Sequence, residues 1–172
     1  MTLLFNAPKK AGLFITATDT GVGKTLVAGG IAHLLTQRGF KVGVFKPIAT
    51  GCIRTPYGLE SADACFLSHC AKADCPLAIV NPVSYVTPAA PLVASEVEGC
   101  EIDFGLIGES YEYLCRTCDL VIVEGIGGVR VPITREYDVR DLAMTLGLPV
   151  VIVARPHLGT INHTLLTIDS LR

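Results

Sequence analysis

The sequence predicts an α/β protein, a doubly wound and mostly parallel sheet with helices on both faces. Three observations carry this prediction. Short apolar runs without polar alternation recur at Gly12–Ala17, Val42–Phe45, 120–123 and 150–154, as buried strands do. Segments with helical spacing lie between them, and such alternation implies right-handed crossovers and parallel pairing. Hydrophobic residues make up 50% of the 172 and charged residues only 17%, against about 25% charged in an average soluble domain. Strands covered on both faces have that composition, and a chain of this length buries a sizeable core in one domain.

Taken in order, Gly12–Ala17 is the first buried strand and a glycine-rich loop follows it. Residues 26–38 form a helix, with Val27, Ile31, Leu34 and Leu35 at helical spacing and Gly39 as the stop. Val42–Phe45 is the second strand, ending at Lys46-Pro47. Residues 61–71 suggest a short helix, the proline-rich 76–91 a long excursion, and Phe104–Thr117 another helix. The third strand, 120–123, ends in Glu124 and the loop Gly125-Ile126-Gly127-Gly128. A helix over 138–146, a strand over 150–154 and a helix over 160–172 complete the pattern, with no internal repeat. The chain stops at Arg172 inside that amphipathic helix, without a capping glycine or a following strand, and is expected to be cut short.

Composition excludes several functions. A net charge of −2 makes no electrostatic case for nucleic acid or an anionic membrane. No apolar run approaches the ~20 residues that span a bilayer, and residues 1–10 hold no signal-peptide core. The expected compartment is the cytoplasm. Seven cysteines, an odd count, are expected as reduced thiols that behave as small buried hydrophobes. Cys115 and Cys118 form one C-x-x-C with no second pair to complete a zinc site, and Cys65, Cys70 and Cys75 do not share a helical face.

In parallel sheets of this kind ligands bind beyond the carboxyl ends of the strands, where four polar loops of this sequence fall. In the first, "TDTGVGKT", Gly21 and Gly23 leave room for backbone to wrap a phosphate. The following helix start aims its N–H groups at it. Lys24 is placed to reach the β and γ phosphates and the Thr25 hydroxyl to ligate Mg²⁺, so the fold expected is P-loop NTPase-like. Lys46 ends the second strand, expected beside the nucleotide strand. It is either a lysine snorkelling to the surface or a second cation beside the triphosphate. Glu124 closes an aliphatic run as a Walker-B-type metal ligand does. Asp63 is a helix-start residue that gains a metal role only in this company. In "RPHLGTINHTLL", Gly159, Thr160 and Asn162 open a helix, an anion site suited to a ligand carboxylate. His163, inside that helix, is expected to be structural or solvent-facing, His33, His69 and His157 show no partner pattern, and no Ser-His-Asp or Cys-His arrangement emerges.

Together, "TDTGVGKT", "FKPIATG", "ADA", "VNPVSY", "TPAAPLVA", "VEGIGGVRVPI" and "LPVVIVARPHLGTINHTLLT" resemble dethiobiotin synthetase over residues 14–171. The resemblance implies a single P-loop ATP-binding domain over residues 1–172. In the family that domain continues into a strand with an adenine-contacting asparagine, which has no counterpart here. It further implies a homodimer that uses ATP and Mg²⁺. The nucleotide loop would comprise Gly21, Val22, Gly23, Lys24, Thr25 and Leu26, with Glu124, Gly125, Ile126 and Gly127 along the nucleotide. Thr25, Asp63 and Glu124 would be the metal ligands. Lys46 matches the catalytic lysine, assisted by Lys24, and Thr50 a substrate hydroxyl position. Thr160 and Asn162 match the helix start that receives the substrate carboxylate from the neighbouring subunit. The implied reaction joins 7,8-diaminononanoate and CO₂ (from bicarbonate) through a carbamate and a carbamic-phosphoric anhydride, giving dethiobiotin, ADP and phosphate.

The family's phosphate loop begins with a glycine where this sequence has Ala17, a departure tolerable unless that residue needs a positive φ. A partition-type P-loop ATPase is a rival, but its loop carries a lysine five residues before the P-loop lysine, where Asp19 stands. A cobyrinate amidase-type synthetase would need a glutaminase domain that the sequence lacks. A truncated, non-catalytic remnant is the alternative from another class, and a turnover assay separates it.

Overall fold

The computed structural model describes residues 4–172, so part of the 1–10 stretch read for a signal core lies outside the described residues. β1 (Gly12–Ala17) leads through the glycine loop into α1 (Lys24–Gln37), and β2 (Val42–Phe45) follows. A short strand, β3 (Ile48–Ala49), precedes a hairpin of β4 (Ile53–Thr55) and β5 (Gly58–Glu60). Then come α2 (Ala62–Ala71), α3 (Leu77–Val80), β6 (Val83–Ser84) and α4 (Pro91–Glu98). The remainder runs α5 (Phe104–Thr117), β7 (Leu120–Glu124), α6 (Val139–Leu146), β8 (Val150–Val153) and α7 (Thr160–Leu171).

The main sheet has the order β2-β7-β1-β8 and is parallel throughout. Its side chains alternate between two layers, as strand geometry requires. Ile15, Val42, Val44 and Ile122 pack on one face with Ala28 and Ala32 of α1 and Ala64, Leu67 and Ala71 of α2. On the other, Phe14, Phe45, Val121 and Val123 meet Ile107, Tyr111 and Leu114 of α5 and Val139, Leu142 and Leu146 of α6. Each such Val, Leu, Ile or Phe side chain contributes about 1.5–3 kcal/mol by leaving water. Gly29 lets α1 lie close on α2, since a Cβ there would stand 2.4 Å from the Phe66 ring.

Local chemistry sets the helix ends. The Ser61 hydroxyl accepts from the Ala64 N–H at 3.3 Å and starts α2. The Asp103 carboxylate accepts from the Leu106 N–H at 2.8 Å and starts α5. Asp138 and Asp141 cap α6 reciprocally, and Gly147 ends it at φ 63°.

Several expectations need correction. β2 does not pair with β1, because β7 lies between them. The first helix starts at Lys24, two residues earlier than its apolar spacing indicates, since the glycine loop itself turns into it. The 76–91 excursion is not irregular throughout: it holds α3 and β6, and β6 pairs in parallel with β3. α4 and the β4–β5 hairpin were not anticipated, their apolar patterns being too short to register. β8 is one of the two sheet edges and is not covered on both faces, with Val150 exposed and Val151 to Val153 half-buried. All seven cysteines are free thiols, but only Cys52 is buried, while Cys65 and Cys100 are exposed. No helix of the described residues is long and apolar enough to cross a membrane.

Candidate active site

The carboxyl ends of β1, β7 and β2 deliver the site. After β1 the chain is tied to β8 by the Thr18 N–H on the Val153 carbonyl at 3.0 Å. Gly21 (φ 71°) and Gly23 (φ 102°) then take left-handed conformations that a side chain would strain. Gly23 starts α1 without any side-chain cap, which leaves the helix's first N–H groups free for an anion. Ala17 is the last residue of β1, and Lys72 is the one non-glycine with positive φ among the described residues. The loop therefore accepts Ala17 without backbone strain.

One buried lysine grips a buried glutamate, and a second lies in the wall of the same cavity. Glu124, the last residue of β7, is 0% exposed. Its Oε1 accepts from Lys46 Nζ at 2.8 Å and from Thr25 Oγ1 at 2.9 Å. Lys46 is buried and is not a snorkelling surface lysine. Its ammonium also donates to the Gly125 carbonyl at 3.1 Å and pairs with Asp63 Oδ2 at 3.0 Å. The intervening β7 explains this geometry: Lys46 does not face the nucleotide strand but grips the carboxylate at the end of the strand between them. Thr25 Oγ1 also lies 3.1 Å from Asp63 Oδ1, joining α1, α2 and β7 at one point. Lys24 is buried too, with Nζ directed to the Asp19 carbonyl at 3.4 Å.

The electrostatics suit an anion. Burial is the largest influence on the Lys24 ammonium and pushes its pKa down. The Lys46 charge acts in the same direction, and Glu124, Asp63 and Asp19 only partly offset the two. Burial pushes the Asp63 carboxyl up. The Lys46 charge, hydrogen bonds from Lys46 and Thr25, and the Lys24 charge outweigh it and hold the group below its ordinary value.

A cavity of about 500 Å³ opens over this cluster, and it gathers most of the residues singled out by sequence. Gly21, Gly23, Lys24, Thr25, Leu26, Lys46, Thr50, Asp63, Glu124, Ile126 and Gly127 all line it, joined by Thr20 and Ala49, which sequence reasoning missed. Val22 does not reach the cavity; Gly125 contributes through its carbonyl to Lys46. Thr160 and Asn162 do not line it either: they sit at the start of α7, half-buried and exposed respectively. Asp19, which pairs with Arg155 beyond β8, and Asn81, which holds the Lys46 backbone, were also missed. A larger cavity of about 840 Å³ lies between α4 and the turn at Thr134 to Tyr137, but none of the lysines, carboxylates or loop glycines above reaches it.

The residues present fit Mg²⁺. Oε2 of Glu124 is buried without any partner. The Thr25 hydroxyl and the Asp63 carboxylate stand beside the same glutamate, giving a set of hard oxygen donors. No group of three histidines, cysteines or carboxylates capable of caging a metal occurs among the described residues. Mg²⁺ does not need one, since it is held by one or two carboxylates together with water and substrate phosphates.

A family model described as an AAA domain matches residues 11–172. The ATP-dependent dethiobiotin synthetase BioD of Thermodesulfovibrio yellowstonii is 44% identical over 170 residues, 95% of this chain and 71% of that protein. The protein of the same name from Methanocaldococcus jannaschii is 43% identical over 164 residues, 93% of this chain and 73% of its own length. Among solved structures, the kinase domain of Escherichia coli tyrosine kinase ETK has a TM-score of 0.49 and 19% identity, over 94% of this chain and 62% of that one. The family match and the parallel sheet with its phosphate loop agree on a P-loop NTPase-like α/β fold. On the identity and coverage of these relatives, the chain belongs to the ATP-dependent dethiobiotin synthetase family.

Proposed function

We propose that this chain closes the ureido ring of dethiobiotin from 7,8-diaminononanoate, CO₂ (supplied as bicarbonate) and ATP. One amine of the diamine adds to CO₂ and loses a proton, giving a carbamate. A carbamate oxygen attacks the γ-phosphorus of ATP, the bond to the β–γ bridging oxygen breaks, and ADP leaves. The second amine then attacks the carbonyl of the mixed anhydride, loses its proton and expels phosphate. The phosphoryl-transfer step, carbamate on γ-phosphate, brings anion to anion. The observation that carries the reading is a buried lysine, Lys46, held on the buried Glu124 beneath a phosphate loop that brings a second buried lysine, Lys24, to the same cavity.

Lys24 and the N–H groups of α1 hold the phosphates, while Lys46, aimed by Glu124, Asp63 and the Gly125 carbonyl, offsets charge where carbamate and γ-phosphate meet. Thr25, Asp63 and Glu124 would hold Mg²⁺, which supplies charge neutralisation of the phosphates when bound. The lining has no cysteine or histidine among the described residues, and the reaction asks for no nucleophilic side chain. Thr50 is assigned to the substrate. Thr160 and Asn162, away from this cavity, are assigned to the substrate carboxylate of a neighbouring subunit in a homodimer. ATP use and free thiols suit the cytoplasm.

The test is the reaction itself with the purified chain: dethiobiotin by mass spectrometry and phosphate release, each dependent on diamine, bicarbonate and Mg-ATP. Stoichiometric formation of both supports the reading. Tight Mg-ATP binding without any product overturns it in favour of a non-catalytic protein.

A further inference from the structure

Lys46 stands at an awkward point of the backbone. β2 ends at Phe45 on the outer edge of the sheet, and Lys46 is followed by Pro47, which has no N–H to extend a ladder. Its carbonyl is buried and needs a partner from outside the sheet. The segment after α3 supplies one. The Lys46 N–H donates to the Val80 carbonyl at 2.7 Å, and Asn81 Nδ2 donates back to the Lys46 carbonyl at 2.7 Å. The same amide nitrogen donates to the Val83 carbonyl at 3.0 Å, while Asn81 Oδ1 accepts from Ser84 Oγ at 2.7 Å. Pairing of β3 with β6 continues this zipper toward Thr50.

We propose that Asn81 is a positioning residue for ring closure, a clasp that fixes the backbone from which the Lys46 ammonium is aimed. The inference rests on the reading of Lys46 as the catalytic cation. Asn81 is 7% exposed and does not line the cavity, so it acts through Lys46 and not on substrate. Its chemistry is specific to the task. Two N–H donors meet two carbonyls, and the remaining oxygen is satisfied by a hydroxyl. An aspartate of the same shape would oppose both carbonyls with a charge, and alanine would leave them unpartnered. The phosphate loop has no bond to this clasp, being tied instead to β8. Loss of the clasp therefore weakens turnover without weakening nucleotide binding.

The experiment compares the full chain with Asn81→Asp and Ser84→Ala. It reads kcat per folded molecule, KM and Kd for Mg-ATP, and hydrogen exchange of the Lys46 amide. Asn81→Asp is expected to lower kcat by about tenfold to a hundredfold, the scale of a small misplacement of a reacting group. KM and Kd for Mg-ATP stay within about twofold, and the Lys46 amide exchanges faster while amides of α1 do not. Ser84→Ala is expected to shift kcat and exchange in the same direction by less. Unchanged kcat, or a parallel loss of nucleotide affinity, overturns the clasp. Should Asn81→Asp not fold, Ser84→Ala decides: unaltered kcat and exchange together overturn it. Absence of turnover in the unmodified chain sinks the proposed reaction instead, and the exchange arm still reads whether Asn81 holds Lys46.

Discussion

Lys46→Met isolates what the buried ion pair is worth and what it is for. Methionine keeps the length and apolar stem of the side chain and removes only the ammonium. What remains is Glu124, 0% exposed, with Oε2 unpartnered and Oε1 facing the Thr25 hydroxyl alone. Breaking a buried pair from one side in this way costs about 3–5 kcal/mol, because an uncompensated charge is left inside. For a domain of this size each kcal/mol moves Tm by about 2–4 °C, so a fall of roughly 10 °C is expected. The double variant Lys46→Met/Glu124→Gln removes the stranded charge and recovers most of that loss, giving a coupling readable in a double-mutant cycle. Mg²⁺ added to the single variant recovers part of it by supplying the missing positive charge. Turnover behaves differently. Loss of a cation aimed at developing charge costs about 10²–10³-fold in kcat in the single variant, and the double variant, which also lacks the Glu124 carboxylate, is impaired at least as much. Mg-ATP affinity changes little, since Lys24 and the N–H groups of α1 remain. Scanning calorimetry and single-turnover phosphate release measure the two effects. A Tm equal to that of the unmodified chain, or a double variant no more stable than the single, refutes the ion-pair energetics. Retained turnover refutes the catalytic assignment.

Glu124→Gln keeps the shape of the strand end but replaces a charged oxygen ligand by a neutral one, and Mg²⁺-dependent turnover is lost. Unchanged activity with unchanged Mg²⁺ dependence would leave Glu124 as a strand-end residue only. Lys24→Met is expected to raise the stability of the nucleotide-free protein while abolishing Mg-ATP binding, because burial and the Lys46 charge both disfavour its ammonium. The folded pKa of Lys24 lies below the unfolded value, so the penalty is present at neutral pH and is relieved as pH climbs toward 10.5. An unchanged or lower Tm in that variant contradicts the expectation. Asp63 has the opposite sign. Its folded pKa is depressed, so the stability difference between the unmodified chain and Asp63→Asn is full above the ordinary carboxyl value of 3.8 and fades as pH falls through the lowered one. Urea unfolding across that range measures it, and a difference independent of pH would show that Lys46 does not hold the Asp63 charge.

What was legible in the sequence is what short-range chemistry decides. β1, β2 and α5 run between the residues their hydrophobic patterns indicate, because those patterns switch at a glycine, a proline or a capping aspartate. The placement of the glycine loop was readable because Gly21, Gly23, Lys24 and Thr25 lie within one turn of chain, and that of Glu124 because it closes an aliphatic strand. The family motifs extended this to a reaction. Tertiary structure alone decided the rest. Thr25 and Glu124 are 99 positions apart and Lys46 and Glu124 are 78 apart, and no local pattern records that they meet. Consecutive strands suggested that β1 and β2 pair, yet β7 separates them, because strand order follows from how the two helical layers cover the sheet rather than from order along the chain. Asn81 was one residue of a quoted motif until folding laid it against the Lys46 carbonyl, 35 positions away. Periodicity and turn chemistry act over a few residues, whereas burying Glu124 against Lys46 and Thr25 is a property of the packed sheet, and only packing could decide it.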